Sequence, residues 1–283
     1  MTATDHSAEA TARSATLLPL LEEFLSYPLD DGTEILDRFA ALPSAICGQG
    51  EHPMERFVYV PGQRKDRILM VVHVDTVWDR HYDIMQMGQK PVFQQDRVVS
   101  GTSLAGIGAD DRGGCALLWH FRNSGHSLLL LDGEEKGHFA AKYIAREQKK
   151  LLREFNGHRY IMALDLPGGR IAHYHGVHNS SAFDQFVCKK LGCQIMTLKK
   201  GSDLSYLCRG ACGVNLGVGY HSAHTANEFL SLSQWLDTAA LLENLLPQEQ
   251  RRYRTRIFPR VWDGIIRDLK VLWSFIRKRI LKK

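Results

Sequence analysis

The sequence predicts an α/β fold, with a mostly parallel mixed sheet covered by helices on both faces. Three observations carry the prediction. Strand-like apolar runs alternate with helical stretches along most of the chain, the order that builds a parallel sheet with crossover helices. The runs "RILMVVHV", "SLLLL" and "RYIMALDL" are apolar without alternation, as strands buried on both faces are. The exits of these runs carry His, Asp and Glu, and in open α/β sheets that edge is where ligands bind.

The elements follow in order. Residues 1–15 read as a disordered lead-in, without the basic start and apolar core of a signal peptide. "LLPLLEEFLSY" and "GTEILDRFAAL" read as two opening helices. "RFVYV", 56–60, and "RILMVVHV", 67–74, read as strands, with "PGQRKD" as a hairpin turn between them. Gly-rich "SLAGIGADDRGG" leads into the apolar helix "CALLWHF". Strand "SLLLL", helix "FAAKYIAREQKKLLREF" and strand "RYIMALDL" come next. A helix near 181–191, a strand near 193–198, a strand at "GVNLGVG" and a helix at 231–246 complete the body.

Composition narrows the class. The chain is 44% hydrophobic and 24% charged over 283 residues, ordinary for a globular protein. No apolar stretch approaches the roughly 20 residues of a membrane span, so the cytoplasm is the expected compartment. The net charge of +5 belongs to the C-terminus: residues 251–283 hold 12 Lys/Arg and 2 acids, and the remainder nets −5. A nucleic-acid enzyme would more often spread its positive charge along a groove, so no nucleic-acid partner is expected. Of the six cysteines, Cys208 and Cys212 in "CRGAC" stand closest to a pair, and free thiols are the favoured reading for a cytosolic chain.

Beyond Pro247, the stretch 249–283 reads as a basic amphipathic helical tail. Trp262, Ile265, Ile266, Leu269, Leu272, Trp273, Ile276 and Ile280 recur at steps of three or four, with basic residues opposite. A helix packed on its own body, a helix docking a protein partner and a helix lying on a membrane surface through 261–281 all fit that stripe.

The strand exits form a set. "HVD" places His73 and Asp75 on one side of an extended chain. "GIGADDRGG" sets Asp110 and Asp111 on a glycine turn, and "LLLLDGEEKG" crowds Asp132, Glu134 and Glu135. "ALDLP" offers Asp165, and "GYHSAHTANEFL" offers His221, His224 and Glu228. Adjacent carboxylates repel unless water or a cation relieves them. Two Zn²⁺ about 3.5–4 Å apart, bridged by a carboxylate, are a standard hydrolytic site.

In this order, "HVD", "ADDRGG", "GEEKG", "ALDLP" and "HTANE" resemble the co-catalytic di-zinc exopeptidases, which include aminopeptidases, carboxypeptidases and related deacylases. The match spans about residues 67–230. The resemblance implies a zinc exopeptidase (phosphorylase/hydrolase-like) fold over 16–248 and a site for two Zn²⁺. It implies that His73, Asp110 and Asp165 hold one zinc, that Asp110 bridges, and that Glu135 and His224 complete the second. It implies Glu134 as the general base and Asp75 as the residue that orients His73. The 59 positions from Asp165 to His224 leave no room for a lid domain, which points to the single-domain, aminopeptidase-type branch. Asp203, in a Ser-Asp pair before the last strand, is a candidate to shape the substrate pocket, or a helix N-cap; His221 is a further pocket candidate. An aminopeptidase needs an acid for the substrate's α-amine, and Asp111 and Asp203 are the spare ones. A zinc deacylase or amidase keeps the chemistry without that acid. A non-catalytic binding protein that docks through its tail is the third reading.

Overall fold

The computed structural model describes residues 3–78, 90–196 and 201–256. Helix α1 (Ala3–Leu25) begins within the stretch read as a lead-in. It buries Leu17, Leu21 and Phe24, the i, i+4, i+7 stripe of a helix with one packed face. Helix α2 (Thr33–Ala40) and strands β1 (Ile46–Gln49), β2 (Arg56–Val60) and β3 (Leu69–His73) follow. A short pair, β4 (Pro91–Gln94) and β5 (Arg97–Ser100), precedes α3 (Ala109–His120). Then come β6 (Ser127–Leu131), α4 (Phe139–Glu147), α5 (Lys149–Phe155), β7 (Ile161–Leu166) and β8 (Ile171–His173). Helix α6 (Ser181–Gln185) runs into a π-turn at Phe186–Lys190. Strand β9 (Gln194–Ile195), α7 (Leu204–Leu207), β10 (Gly213–Gly217), β11 (Tyr220–His221), β12 (Phe229–Ser231) and α8 (Leu232–Leu245) end the body.

Eight strands form one mixed sheet in the order β1-β2-β6-β3-β7-β10-β8-β9. Its centre, β6-β3-β7-β10, is parallel. Strands β1, β2 and β8 pair antiparallel at the flanks. The four leucines of β6 explain themselves here. Leu128 and Leu130 enter a core with Met70, Val72, α1, α3 and α8. Leu129 and Leu131 enter a second core with Leu69, Val71, α4, α5 and α7. A strand with no wet face needs apolar residues at every position.

Two readings are corrected. "PGQRKD" is not a hairpin turn, because β6 lies between β2 and β3. The fully buried β6 takes the central place, pairing antiparallel with β2 and parallel with β3. The helix read over 139–155 breaks at Gln148, whose φ −96°, ψ 52° leave the helical region. A four-stranded antiparallel sheet, β11-β12-β5-β4, was not legible in the sequence.

The segment from Asp165 to His224 contributes β8, α6, β9, α7, β10 and β11 to the body, with no lid among the described residues. Residues 250–256 lie along the body: the Tyr253 N–H donates to Arg159 O at 2.9 Å, and Thr255 N–H to Gly210 O at 2.9 Å. The stripe at 261–281 lies outside the described residues. All six cysteines are free, Cys208 and Cys212 included. No helix among the described residues is long and apolar enough to cross a membrane.

The doubly buried sheet gives the first prediction. Leu130→Ala should destabilise the fold by about 2–5 kcal/mol, the usual cost of a lost core leucine plus its cavity, read from the urea midpoint at unchanged slope. A loss below about 1 kcal/mol would mean that β6 is not the centre of the core.

Candidate metal centre

Parallel strands put their C-terminal ends on one edge, and the acids and histidines gather there. His73 ends β3, Asp165 lies near the end of β7, and the turn Asp132–Glu135 leaves β6. Asp110 opens α3, and His224 lies between β11 and β12. The α3 entry needs Gly108, whose φ is +68° and where a Cβ would come within 2.4 Å of Leu29. Arg112 locks that entry from below, donating to Pro28 O at 2.7 Å.

Two triads form, His73–Asp110–Asp165 and Asp110–Glu135–His224, each with ligand atoms within 4.8 Å of one another. Asp110 belongs to both, through different oxygens. His73 Nε2 lies 3.1 Å from Asp110 Oδ1, and His224 Nε2 lies 3.3 Å from Asp110 Oδ2. His73 Nε2 is also 3.5 Å from Asp165 Oδ1, and His224 Nε2 is 2.8 Å from Glu135 Oε1. That Glu135 oxygen is buried and accepts no well-aligned hydrogen bond among the described residues. A carboxylate with a spare buried lone pair, facing imidazoles and other carboxylates, fits a divalent cation.

A ring of further acids holds the two triads. Asp75 is buried, and its two oxygens accept the N–H groups of Glu134 at 3.0 Å and Glu135 at 3.1 Å. Its carboxylate is 3.4 Å from His73 Nδ1, whose nearer partner is the Asp75 carbonyl at 3.0 Å. The Asp75 carboxylate thus fixes the Glu-Glu turn, while its backbone carbonyl is the nearer partner of His73. Asp111 accepts from His73 N–H at 3.3 Å and Gly114 N–H at 3.0 Å. Glu228 accepts from Gly108 N–H at 2.7 Å and Asp110 N–H at 3.1 Å. Asn215 accepts the Asp165 N–H at 2.9 Å, and the Tyr220 hydroxyl donates to Asp165 Oδ1 at 3.3 Å. Asp132 is a structural residue, ion-paired with Arg56 at 2.6 Å.

The crowding moves the proton affinities. Burial alone would lower the His73 pKa, but the Asp165 charge and the bonds to Asp110, Asp165 and Asp75 raise it well above the ordinary value. Contacts with Asp110 and Glu135 raise His224 to about 10. Burial would raise Asp110, but His224 and His73 hold it well below the usual carboxylate range. Burial and neighbouring carboxylates leave Asp165 raised, and burial leads the rise at Glu135. Burial and the Asp110 charge lift Glu228 to about 8, against its two backbone N–H donors.

The triads open into a cleft of about 760 Å³ whose walls include Glu134, His138, His175, Ser202 and Tyr220. His138 is a residue the sequence reading missed. Its Nδ1 lies 3.2 Å from both Glu134 Oε1 and Asp203 Oδ1. Its one sequence signal is its place four residues after Glu134. Asp203 occupies the N-cap position of α7 and reaches the cleft only through His138. Its side chain makes no cap to α7, and it stands buried behind His138 rather than on the cleft wall. His221, the other pocket candidate, has its ring engaged elsewhere. Its Nε2 pairs with Gln234 Oε1 at 2.8 Å and its ring stacks on Phe229. Successive strand residues point to opposite faces, so with Tyr220 facing the cleft His221 faces away.

No family model matches the chain, and no curated protein matches it. Solved structures do. The aminopeptidase PepT from Bacillus cereus aligns with a TM-score of 0.59 at 15% identity, over 82% of this chain and 97% of its own. A tripeptidase from Staphylococcus aureus gives 0.56 at 14% identity, over 82% and 98%. An aminopeptidase from the archaeon Desulfurococcus kamchatkensis gives 0.54 at 11% identity, over 84% and 96%. The chain therefore has the mixed α/β fold of these peptidases, with its paired triads at the carboxyl edge of the sheet.

Proposed function

We propose that this protein is a metal-dependent hydrolase that cleaves a peptide or amide bond with two zinc ions, and that it acts as an aminopeptidase-type enzyme. The observation that carries the reading is the division of Asp110, one oxygen toward His73 and the other toward His224. That is what a bridging carboxylate between two cations requires. His73, Asp110 and Asp165 would hold one ion, and Asp110, Glu135 and His224 the other. When bound, the ions would supply an activated water and a polarised carbonyl.

The chain's own residues do the rest. Glu134 projects into the cleft beside both triads without belonging to either. It takes the proton of the attacking water and returns it to the leaving amine. Asp75 fixes the backbone on which Glu134 and Glu135 diverge. Asn215 and Tyr220 set Asp165. The six free thiols suit the reducing cytoplasm.

A second reading, a zinc deacylase or amidase, is favoured by one observation. The two acids considered for a substrate α-amine are both engaged. Asp111 is buried against backbone N–H groups, and Asp203 is buried against His138. Assaying the zinc-loaded protein on aminoacyl amides, dipeptides and N-acylated amino acids decides between them. Cleavage of the N-acyl substrates alone would replace the aminopeptidase reading.

Glu134→Gln should lower kcat by about 10²–10⁴-fold, the size of a general-base contribution, while elemental analysis still finds two zinc ions per chain. Retained activity would remove Glu134 from its role.

Metal binding should also release protons. The surrounding carboxylates favour a proton on both rings of the metal-free protein, raising His224 to about 10 and His73 well above its ordinary value. Only the deprotonated ring binds a cation. Apparent zinc affinity should therefore rise with pH from 7 toward 10, and the proton count should fall once pH passes 10. Calorimetric titration in buffers of different ionisation heat reads both. Zinc uptake with no proton release would exclude His73 and His224 as ligands.

A further inference from the structure

Glu134 raises a question that the hydrolase reading leaves open. A carboxylate beside two divalent cations is itself a ligand by chemistry, and its neighbour Glu135 is read as one. Something must keep Glu134 out of the ligand set and aimed at the cleft. The turn after β6 supplies a partner. Gly133 (φ 75°) and His138 (φ 60°) are left-handed. The N–H groups of Gly137 and His138 both donate to Glu134 O at 3.0 Å, and Phe139 N–H donates to Gly133 O at 2.9 Å. This turn brings the His138 ring back against Glu134, with Nδ1 3.2 Å from Glu134 Oε1.

The ring is itself held. Asp203, 65 positions away in sequence, accepts from Nδ1 at 3.2 Å. Tyr206 packs against the ring with centroids 5.5 Å apart. The opposite nitrogen faces Gly201, where a Cβ would lie 3.7 Å from Nε2. Asp203 is buried and its carboxylate makes no cap to α7, so it serves the ring rather than the helix.

We propose that His138 is a positioning residue: anchored by Asp203, it holds the Glu134 carboxylate at the cleft wall and apart from the metal ligands. This rests on the hydrolase reading for its purpose, but the contact itself can be tested without it.

The first experiment is ¹⁵N-histidine NMR on the full metal-free chain, with the His138 signal assigned by its loss in His138→Asn. Glu134→Gln and Asp203→Asn should each move the His138 Nδ1 resonance. A resonance moved by Asp203→Asn alone would make His138 a structural partner of Asp203 and overturn the proposal. The second experiment is kinetic. His138→Ala should lower kcat by about 10–100-fold, the usual effect of losing a residue that orients a site group. KM and the count of zinc ions should not change. His138→Asn, whose Nδ2 amide takes the place of Nδ1, should restore most of the rate. Unchanged kcat in His138→Ala, or loss of zinc from it, would overturn the proposal. If the unsubstituted protein hydrolyses no peptide or amide, the hydrolase reading fails. The NMR result then still decides whether His138 holds Glu134.

Discussion

Negative charge crowded into a buried corner is the constraint on which the rest of this structure turns. Asp110, Glu135 and Asp165 converge with Glu134 around His73 and His224. Four carboxylates cannot share such a space in the charged state without strong compensation. The fold answers in two ways. It sets cation-type donors between the acids, and it ties a second tier of acids to backbone N–H groups, so that these spend their lone pairs on the main chain. Asp75, Asp111 and Glu228 form that tier, and each bridges two N–H groups. Each therefore fixes a segment that carries a member of the two triads.

The sheet makes this possible. Strands β3, β6 and β7 are parallel neighbours, so their exits lie within one side chain's reach of each other. Both faces of these strands are buried, which leaves the strand ends as the place where polar groups meet the cleft. Glu228 then reaches across 120 positions of sequence to hold the α3 entry. The antiparallel sheet around β12 carries Glu228 and His224 to the same edge, which gives this small sheet its use.

The central strands and the acids and histidines at their exits are legible in the sequence because their signals are local, while the division of those residues into two sets came from the order of the motifs. A continuous apolar run needs no knowledge of its partner, and His73, Glu135 and Asp165 each follow such a run. What escaped is what depends on distant pairing. The strands β4, β5, β8, β11 and β12 are short and of mixed polarity, so their pattern alone does not separate them from loops. The supposed hairpin failed because its turn residues say nothing about β6 inserting between the two strands. Asn215 and Tyr220 escape the sequence because each meets a partner far along the chain, and His138 because Asp203, which holds its ring beside Glu134, lies 65 positions away. The contacts of His221 with Gln234 and Phe229 follow from the alternation of strand side chains and from a helix 13 positions on.

The pair Glu134–Glu135 depends on all of these supports at once. The same residue type stands twice in a row, so side-chain chemistry cannot assign the two roles. Position does. Asp75 takes one N–H from each with a separate oxygen, which pins consecutive amides side by side and makes the side chains diverge. Glu135 meets His224 and the Asp110 side of the cluster, while Glu134 meets His138. A buried acid just past the end of the neighbouring parallel strand thus determines which glutamate faces the triads and which faces the cleft. The parallel pairing of β3 with β6 is what brings Asp75 beside the turn it holds.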